Sequence, residues 1–253
     1  MRRMGGDFDY EAKGAGYARH RRTDPRIAAV IHEAFGAAKT IVNVGAGAGS
    51  YEPQDRYVLA VEPSAAMRAQ RPSGRPAIHG FAEALPLDDR AVDAAMAIMT
   101  VHQWADLDTG LAELRRVALG PVLVVAGDGE ALPRFWLNDY APEVIAAERK
   151  RYPPVTRIAE RIGARSQVLN LPIPLDCTDG LCEAFYGRPE RLLDADVRRA
   201  QSSWGFTPEG TEERFVEALS AELNSGRWEE RHGHLRTQPS FDGSLRLIVG
   251  WPT

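Results

Sequence analysis

Three glycines in five positions, Gly45, Gly47 and Gly49, follow an apolar run in TIVNVGAGAGSYEP (40–53). Lacking Cβ atoms, they let the backbone bend sharply and let a ligand come close. Such a turn after a strand holds the polar part of a nucleotide-like ligand. The spacing is G-x-G-x-G. Ser50 stands where a dinucleotide fingerprint has its third glycine, and the G-K-[ST] of a phosphate loop is missing. Glu62, in LAVEPS, is a carboxylate able to accept two hydrogen bonds from a ribose diol. These two features alone fit an NAD-dependent oxidoreductase as well as an enzyme that uses a nucleoside-bearing methyl donor.

Other side chains could carry a reaction. His102 follows the fourth apolar run, and histidine is the usual proton acceptor near neutral pH. Asp176, in PLDCTDG (174–180), emerges at the same edge if its strand runs parallel to the earlier ones, and would then act as a base or a hydrogen-bond acceptor. Asp179 reads as a helix cap. Trp136 and Tyr140 are four residues apart and share a helix face, which either binds an apolar or aromatic molecule or is ordinary core. Phe185, Trp204 and Phe206 raise the same question. Cys177 and Cys182, with no second pair, fit neither a disulfide framework nor a zinc site. His232 and His234 form H-x-H without identifiable further ligands, so no metal is expected.

The elements that position these residues follow an alternating pattern. DPRIAAVIHEAFG reads as a helix, with Asp24 as N-cap, Pro25 at its first position and Gly36 at its end. Apolar runs at 40–44, 57–63, 76–81 (leading into AEALPLDD), 91–99 and 121–128 are separated by helical patterns, which implies a parallel sheet in βαβ units. SQVLNLPIPLDC (166–177) reads as a sixth strand and SLRLIVGW (244–251) as the last. The segment 179–231 is mostly helical. Its clearest helix is TPEGTEERFVEALSAELNSG, capped by Thr207 or Thr211 and ended by Gly226. A segment this long between two strands reads as a lid rather than a connection. With 31 basic against 35 acidic residues, the net charge of −4 argues against nucleic acid or an anionic membrane as partner. No run approaches the roughly 18 apolar residues of a membrane span. The opening MRRMGGDFDYEAKG has no apolar stretch behind its arginines, so a cytoplasmic location is expected.

VNVGAGAGSYE, AVEPSAAM, HGFAEALPLDDRAVDAAMAIMTVHQWAD and GLAELRRVALGPVLVV follow one another over residues 40–128. In that order and spacing they resemble the class I S-adenosylmethionine-dependent methyltransferases, in the small-molecule branch that includes ubiquinone- and menaquinone-type enzymes (methyltransferase type 11). The resemblance implies an α/β, Rossmann-like fold: a seven-stranded, mostly parallel sheet with an antiparallel last strand, helices on both faces and a helical lid insert. It implies a single domain over 1–253, with an N-terminal arm and helix (1–38), a donor-binding core (39–128), the second half of the sheet (129–178), the lid insert (179–235) and the last strand (236–253).

The resemblance also assigns roles. Gly45, Ala46, Gly47 and Gly49 would lie along the methionine part of S-adenosyl-L-methionine. Glu62 would hold the ribose, Pro63 would border the adenine, and Ala82 and Glu83 would flank it. Met99 and Thr100 would sit near the sulfonium, with Val101 and His102 toward the substrate. In the arm, Tyr10 and Tyr17 would close the pocket and Arg19 or Arg22 would pair with the donor carboxylate. Two positions depart from the family pattern: Asn43 replaces an acidic residue before the first glycine, and Phe81 replaces one before Ala82-Glu83. The expected function is methyl transfer to a small apolar or aromatic metabolite, leaving S-adenosyl-L-homocysteine, by a monomer or homodimer. The alternatives are a non-catalytic or repurposed donor-binding protein and an NAD-dependent oxidoreductase.

Overall fold

The computed structural model describes residues 8–9, 11 and 17–252. The strands are β1 (Thr40–Val44), β2 (Tyr57–Val61), β3 (Ala77–Ile78), β4 (Ala94–Ile98), β5 (Val122–Gly127), β6 (Arg165–Asn170), β7 (Ile173–Pro174), β8 (Ser240–Phe241) and β9 (Leu245–Trp251). The helices used below are α1 (Pro25–Ala34), α2 (Ala65–Arg68), α3 (Leu107–Val117), α4 (Leu137–Tyr140), α5 (Pro142–Arg151), α6 (Val155–Ile162), α7 (Ala195–Arg199), α8 (Thr211–Ser225) and α9 (Arg227–His232). Seven strands form one sheet in the order β3-β2-β1-β4-β5-β9-β6. The first five are parallel. β9 is antiparallel to both neighbours, so β6 runs with the first five.

The central strands are apolar on both faces, as a sheet covered by helices requires. All six residues of β5 are buried. One face packs on α3 and α6 through Leu111, Leu114, Ile158 and Ile162; the other packs on α1 through Ile27 and Ile31. α1 begins as its sequence implies: Asp24 accepts from the Arg26 N–H at 3.0 Å and Pro25 opens the helix.

Local chemistry shortens three elements. β3 keeps two residues, and AEALPLDD turns rather than coils into a helix, with Pro86 interrupting it. The sixth strand stops at Asn170, because Pro172 and Pro174 have no N–H for a ladder; Ile173–Pro174 pairs instead with β8 in a separate ribbon. α8 is preceded by Gly210 in a left-handed conformation, not capped by Thr207 or Thr211. Thr211 lies inside the first turn, and the Thr207 hydroxyl donates to Trp204 O. Gly226 does end α8, at φ +79°.

The insert has a core of its own. Phe185, Tyr186, Phe215 and Trp228 pack against Phe135, Trp136 and Leu137 from the segment after β5. No helix among the described residues is long and apolar enough to cross a membrane.

Candidate active site

A cavity of about 870 Å³ opens where β1, β2 and β4 end. The glycine turn forms its floor. Gly45 and Gly47 hold φ +66° and +51°, a region that side chains resist. A Cβ on Gly45 would stand 2.1 Å from Thr100 Oγ1, so the close approach of β1 and β4 needs glycine there. The Gly45 and Ala46 N–H groups donate to Val61 O at 2.9 and 3.1 Å, which fixes the turn against β2. Gly49, at φ +94°, turns away beside Arg71 and leaves the cavity wall to Ser50.

Glu62 joins the turn to α2. One carboxylate oxygen accepts from the Gly47 N–H and the other from the Ser64 N–H, both at 2.8 Å. Burial raises its pKa, against the lowering effect of those two backbone donors. Pro63, Ala82, Glu83, Met99 and Thr100 line the same cavity, as do Phe81, Trp104 and Asp106. Met99 is held at φ +51°, a strained conformation costing about 1–3 kcal/mol for a non-glycine residue.

Beneath the turn lies a buried ion pair. Arg71 Nη2 donates to both oxygens of Glu52 at 2.9 Å, and Asn43 Nδ2 donates to Glu52 Oε1 at 2.9 Å. This explains the departure at position 43. Glu52 already supplies the carboxylate, and a second one here would repel it, whereas an amide donates. Asn43 lines the cavity, and its Oδ1 is buried without a partner among the described residues.

The facing wall brings Arg21, and Tyr51 after the glycine turn, onto Asp179 at the start of the insert. Arg21 lines the cavity and donates through Nε to Asp179 Oδ1 at 2.6 Å. The Tyr51 hydroxyl donates to the other Asp179 oxygen at 2.9 Å. Burial and this carboxylate push the Tyr51 hydroxyl far above its ordinary pKa. Thr178 N–H donates to Asp24 and Thr178 Oγ1 to Thr23 O, both at 3.1 Å. Gly180 N–H donates to His20 O at 2.8 Å. The DCTDG segment is therefore a clamp on the arm.

Several expected site residues lie elsewhere. Asp176 has a side chain 80% exposed and pairs with Arg26 at 2.5 Å, outside the cavity. Asp179 binds the arm and does not cap a helix. Arg22 is exposed, and its neighbour Arg21 faces the cavity. Val101 is buried in the core behind the cavity. Trp136 is buried, with Nε1 donating to Tyr186 O at 2.9 Å, and the Tyr140 hydroxyl donates to Glu222 at 2.7 Å, so both serve the insert's core. Tyr10 and the Tyr17 side chain lie outside the described residues. His102 misses the large cavity and lines a smaller recess beside it, its ring 5.2 Å from that of Tyr152. Burial pushes the Cys177 thiol up to about 12, which leaves it a poor nucleophile.

Sequence reasoning missed Arg21, Tyr51, Arg71 and Glu52 as parts of the site. The one local signal was the pair of acids in 176–179, whose partners lie about 150 residues away.

Residues 42–120 match the family described as Methyltransferase domain. No curated protein sequence matches the chain. Among solved structures, a protein described as a methyltransferase from an antibiotic biosynthesis pathway of Anabaena variabilis is 28% identical. The match covers 92% of this chain and 99% of that one, with a TM-score of 0.86. A Thermotoga maritima protein described as an S-adenosylmethionine-dependent methyltransferase, with histamine N-methyltransferase suggested, is 15% identical over 96% of this chain and 97% of that one, at TM-score 0.57. The [4+2]-cyclase SpnF is 16% identical over 100% of this chain and 87% of that one, at TM-score 0.51. The chain has the Rossmann-like methyltransferase fold, and its residues 42–120 match the model of the methyltransferase-domain family.

Proposed function

We propose that the protein transfers a methyl group from S-adenosylmethionine to a small molecule with an apolar or aromatic body. The observation that carries this reading is the convergence of Gly45–Gly47, Glu62, Ala82–Glu83 and Met99–Thr100 on one cavity, with Arg21 opposite. The residues fit the donor. Asn43 Oδ1 is an unpartnered acceptor suited to the donor's ammonium, and Gly45 keeps open a cradle that a Cβ would fill. When bound, the donor supplies an electrophilic methyl group on a sulfonium.

The chain's own residues then bind, orient and exclude water. Glu62 keeps a lone pair on each oxygen for the ribose hydroxyls, and the backbone donors hold its carboxylate in place. Arg21 offers charge to the donor carboxylate, with Asp179 and Tyr51 fixing its position. Ala82 and Glu83 flank the adenine, and Phe81 offers a ring face in place of the missing acid. Met99, Ile98 and Trp104 give the reacting centre apolar walls, so orientation and water exclusion are the main contributions to rate. His102, on the recess wall, is the group placed to accept a proton from an acceptor that must lose one.

Calorimetry with S-adenosylhomocysteine and with NAD tests the donor, and transfer of a labelled methyl group to candidate metabolites tests the reaction. Binding of NAD alone would overturn the donor assignment. Binding of S-adenosylhomocysteine with no labelled product from any acceptor would leave a donor-binding protein.

A further inference from the structure

A second recess, of about 60 Å³, abuts the donor cavity. Arg21 and Met99 line both spaces. A water needs about 10–15 Å³ of such space, so the recess holds a head group of a few heavy atoms and not a whole metabolite. Its polar wall is assembled from separate segments: His102 after β4, Glu148 and Tyr152 at the end of α5, Glu183 and Gln201 from the insert, and Ser244 before β9.

Acceptors dominate that wall. Gln201 is 6% exposed; its Nε2 donates to Val197 O at 3.3 Å, and its Oε1 is buried with no partner among the described residues. An orphaned buried acceptor is destabilising unless a ligand completes it. Glu183 accepts from the Ser244 N–H at 3.0 Å and from its hydroxyl at 2.5 Å, which leaves part of its carboxylate capacity free. Burial and the Glu148 carboxylate beside it raise the Tyr152 hydroxyl well above its ordinary pKa. Arg21, the one guanidinium on the wall among the described residues, is already engaged by Asp179.

We propose that this recess seats a protonated amino group of the methyl acceptor, with Gln201 Oε1 as the neutral acceptor and Glu148 and Glu183 as its charge partners. An ammonium group brings three donors and no acceptor, which matches the wall. A carboxylate would meet two carboxylates, and a carbonyl would leave Gln201 Oε1 unsatisfied. The acceptor's body then extends past Met99 into the large cavity. The inference rests on the methyl-transfer reading and narrows it: the acceptor is an amine-bearing small molecule, and quinone-type acceptors fall outside it.

The test uses the full chain saturated with S-adenosylhomocysteine, whose own binding is measured first. Propylamine and benzylamine are titrated against propanol and benzyl alcohol by calorimetry. At least one amine should bind roughly tenfold or more tighter than its alcohol, as expected of a hydrogen bond to charge. Gln201→Met should remove about that factor for the amine and leave S-adenosylhomocysteine affinity unchanged, while Gln201→Glu should tighten the amine. Neither amine exceeding its alcohol, or a Gln201→Met protein that binds the amine as well as before, would overturn the inference. If the variants fail to fold, the amine-to-alcohol ratio of the unaltered protein decides it. Loss of S-adenosylhomocysteine binding would instead sink the donor reading.

Discussion

The two walls of the large cavity are built on different principles. The floor, from Asn43 to Glu62, is shaped by backbone: positive-φ glycines, N–H groups paired to Val61 and Glu62, and a close approach to Thr100. The facing wall is shaped by side chains that meet across long stretches of chain. Arg21 and Asp179 are 158 residues apart, and Thr178 and Asp24 are 154 apart. Backbone-built walls depend on a few steric conditions that neighbouring residues impose. Side-chain-built walls depend on ion pairs, and losing one partner exposes the whole pair.

The largest effect should therefore come from the facing wall. Asp179→Ala strips Arg21 and the Tyr51 hydroxyl of a buried carboxylate. Breaking a buried pair by removing one partner costs about 3–5 kcal/mol. Urea denaturation should show a loss of that order, together with weaker S-adenosylhomocysteine binding because Arg21 loses its anchor. A loss under about 1 kcal/mol would mean that the arm is not held by this network.

The floor should break differently. Gly45→Ala places a methyl group against Thr100 in a conformation that L residues resist by about 1–2 kcal/mol. Adding the collision, donor affinity should fall roughly 100-fold, about 2.7 kcal/mol, with circular dichroism unchanged. If affinity holds within a factor of three, the turn is more pliable than its φ values imply.

This contrast also explains what could be read from residues alone. Gly45, Gly47 and Glu62 were legible because local spacing sets their backbone, Ala82 and Glu83 only through the family resemblance; these five line the cavity, and Gly49 does not. Arg21 and Arg22 are adjacent in a loop with no periodicity, so nothing local separates them. The choice is made by Asp179 from the far side of the chain. Trp136 and Tyr140 present the same helical spacing whether they face a ligand or a core. Only the partners Tyr186 and Glu222 show that they face the insert. The break in the sixth strand was legible in principle, since Pro172 and Pro174 cannot pair along a ladder. Asn43 was visible as a departure, but its reason lies in Glu52 and Arg71.

A smaller effect should be visible in pH. Burial raises the Glu183 carboxyl to about 7, against the donors of Ser244. With the recess empty, the folded chain then holds a proton that the unfolded chain has released above an ordinary pKa near 4.5, and an ammonium seated there would displace it. Where the folded state binds more protons, stability falls as pH rises. The contribution is complete below about 4.5 and is lost as pH climbs through about 7. Urea midpoints from pH 5 to 8 should decline more in the unaltered protein than in Glu183→Gln, which does not titrate there. Burial also raises Glu62, so the difference between the two proteins is the relevant quantity. Parallel curves would show that Glu183 does not titrate in this range.

The smallest effect belongs to the outer end of the same clamp. Asp176 and Asp179 are three residues apart; Asp176 meets Arg26 of α1 at 2.5 Å and Asp179 meets Arg21 of the arm at 2.6 Å. Their surroundings differ: the Asp179 side chain is 3% exposed and that of Asp176 is 80% exposed. Arg26 holds the Asp176 carboxyl below its ordinary pKa, but in water that attraction is screened and offset by the entropy of ordering two side chains. Asp176→Ala should leave the urea midpoint, S-adenosylhomocysteine affinity and methyl transfer unchanged within error. A fall in turnover with donor affinity intact would restore Asp176 as a group that reaches the acceptor, and would require the loop at 174–180 to move toward the cavity.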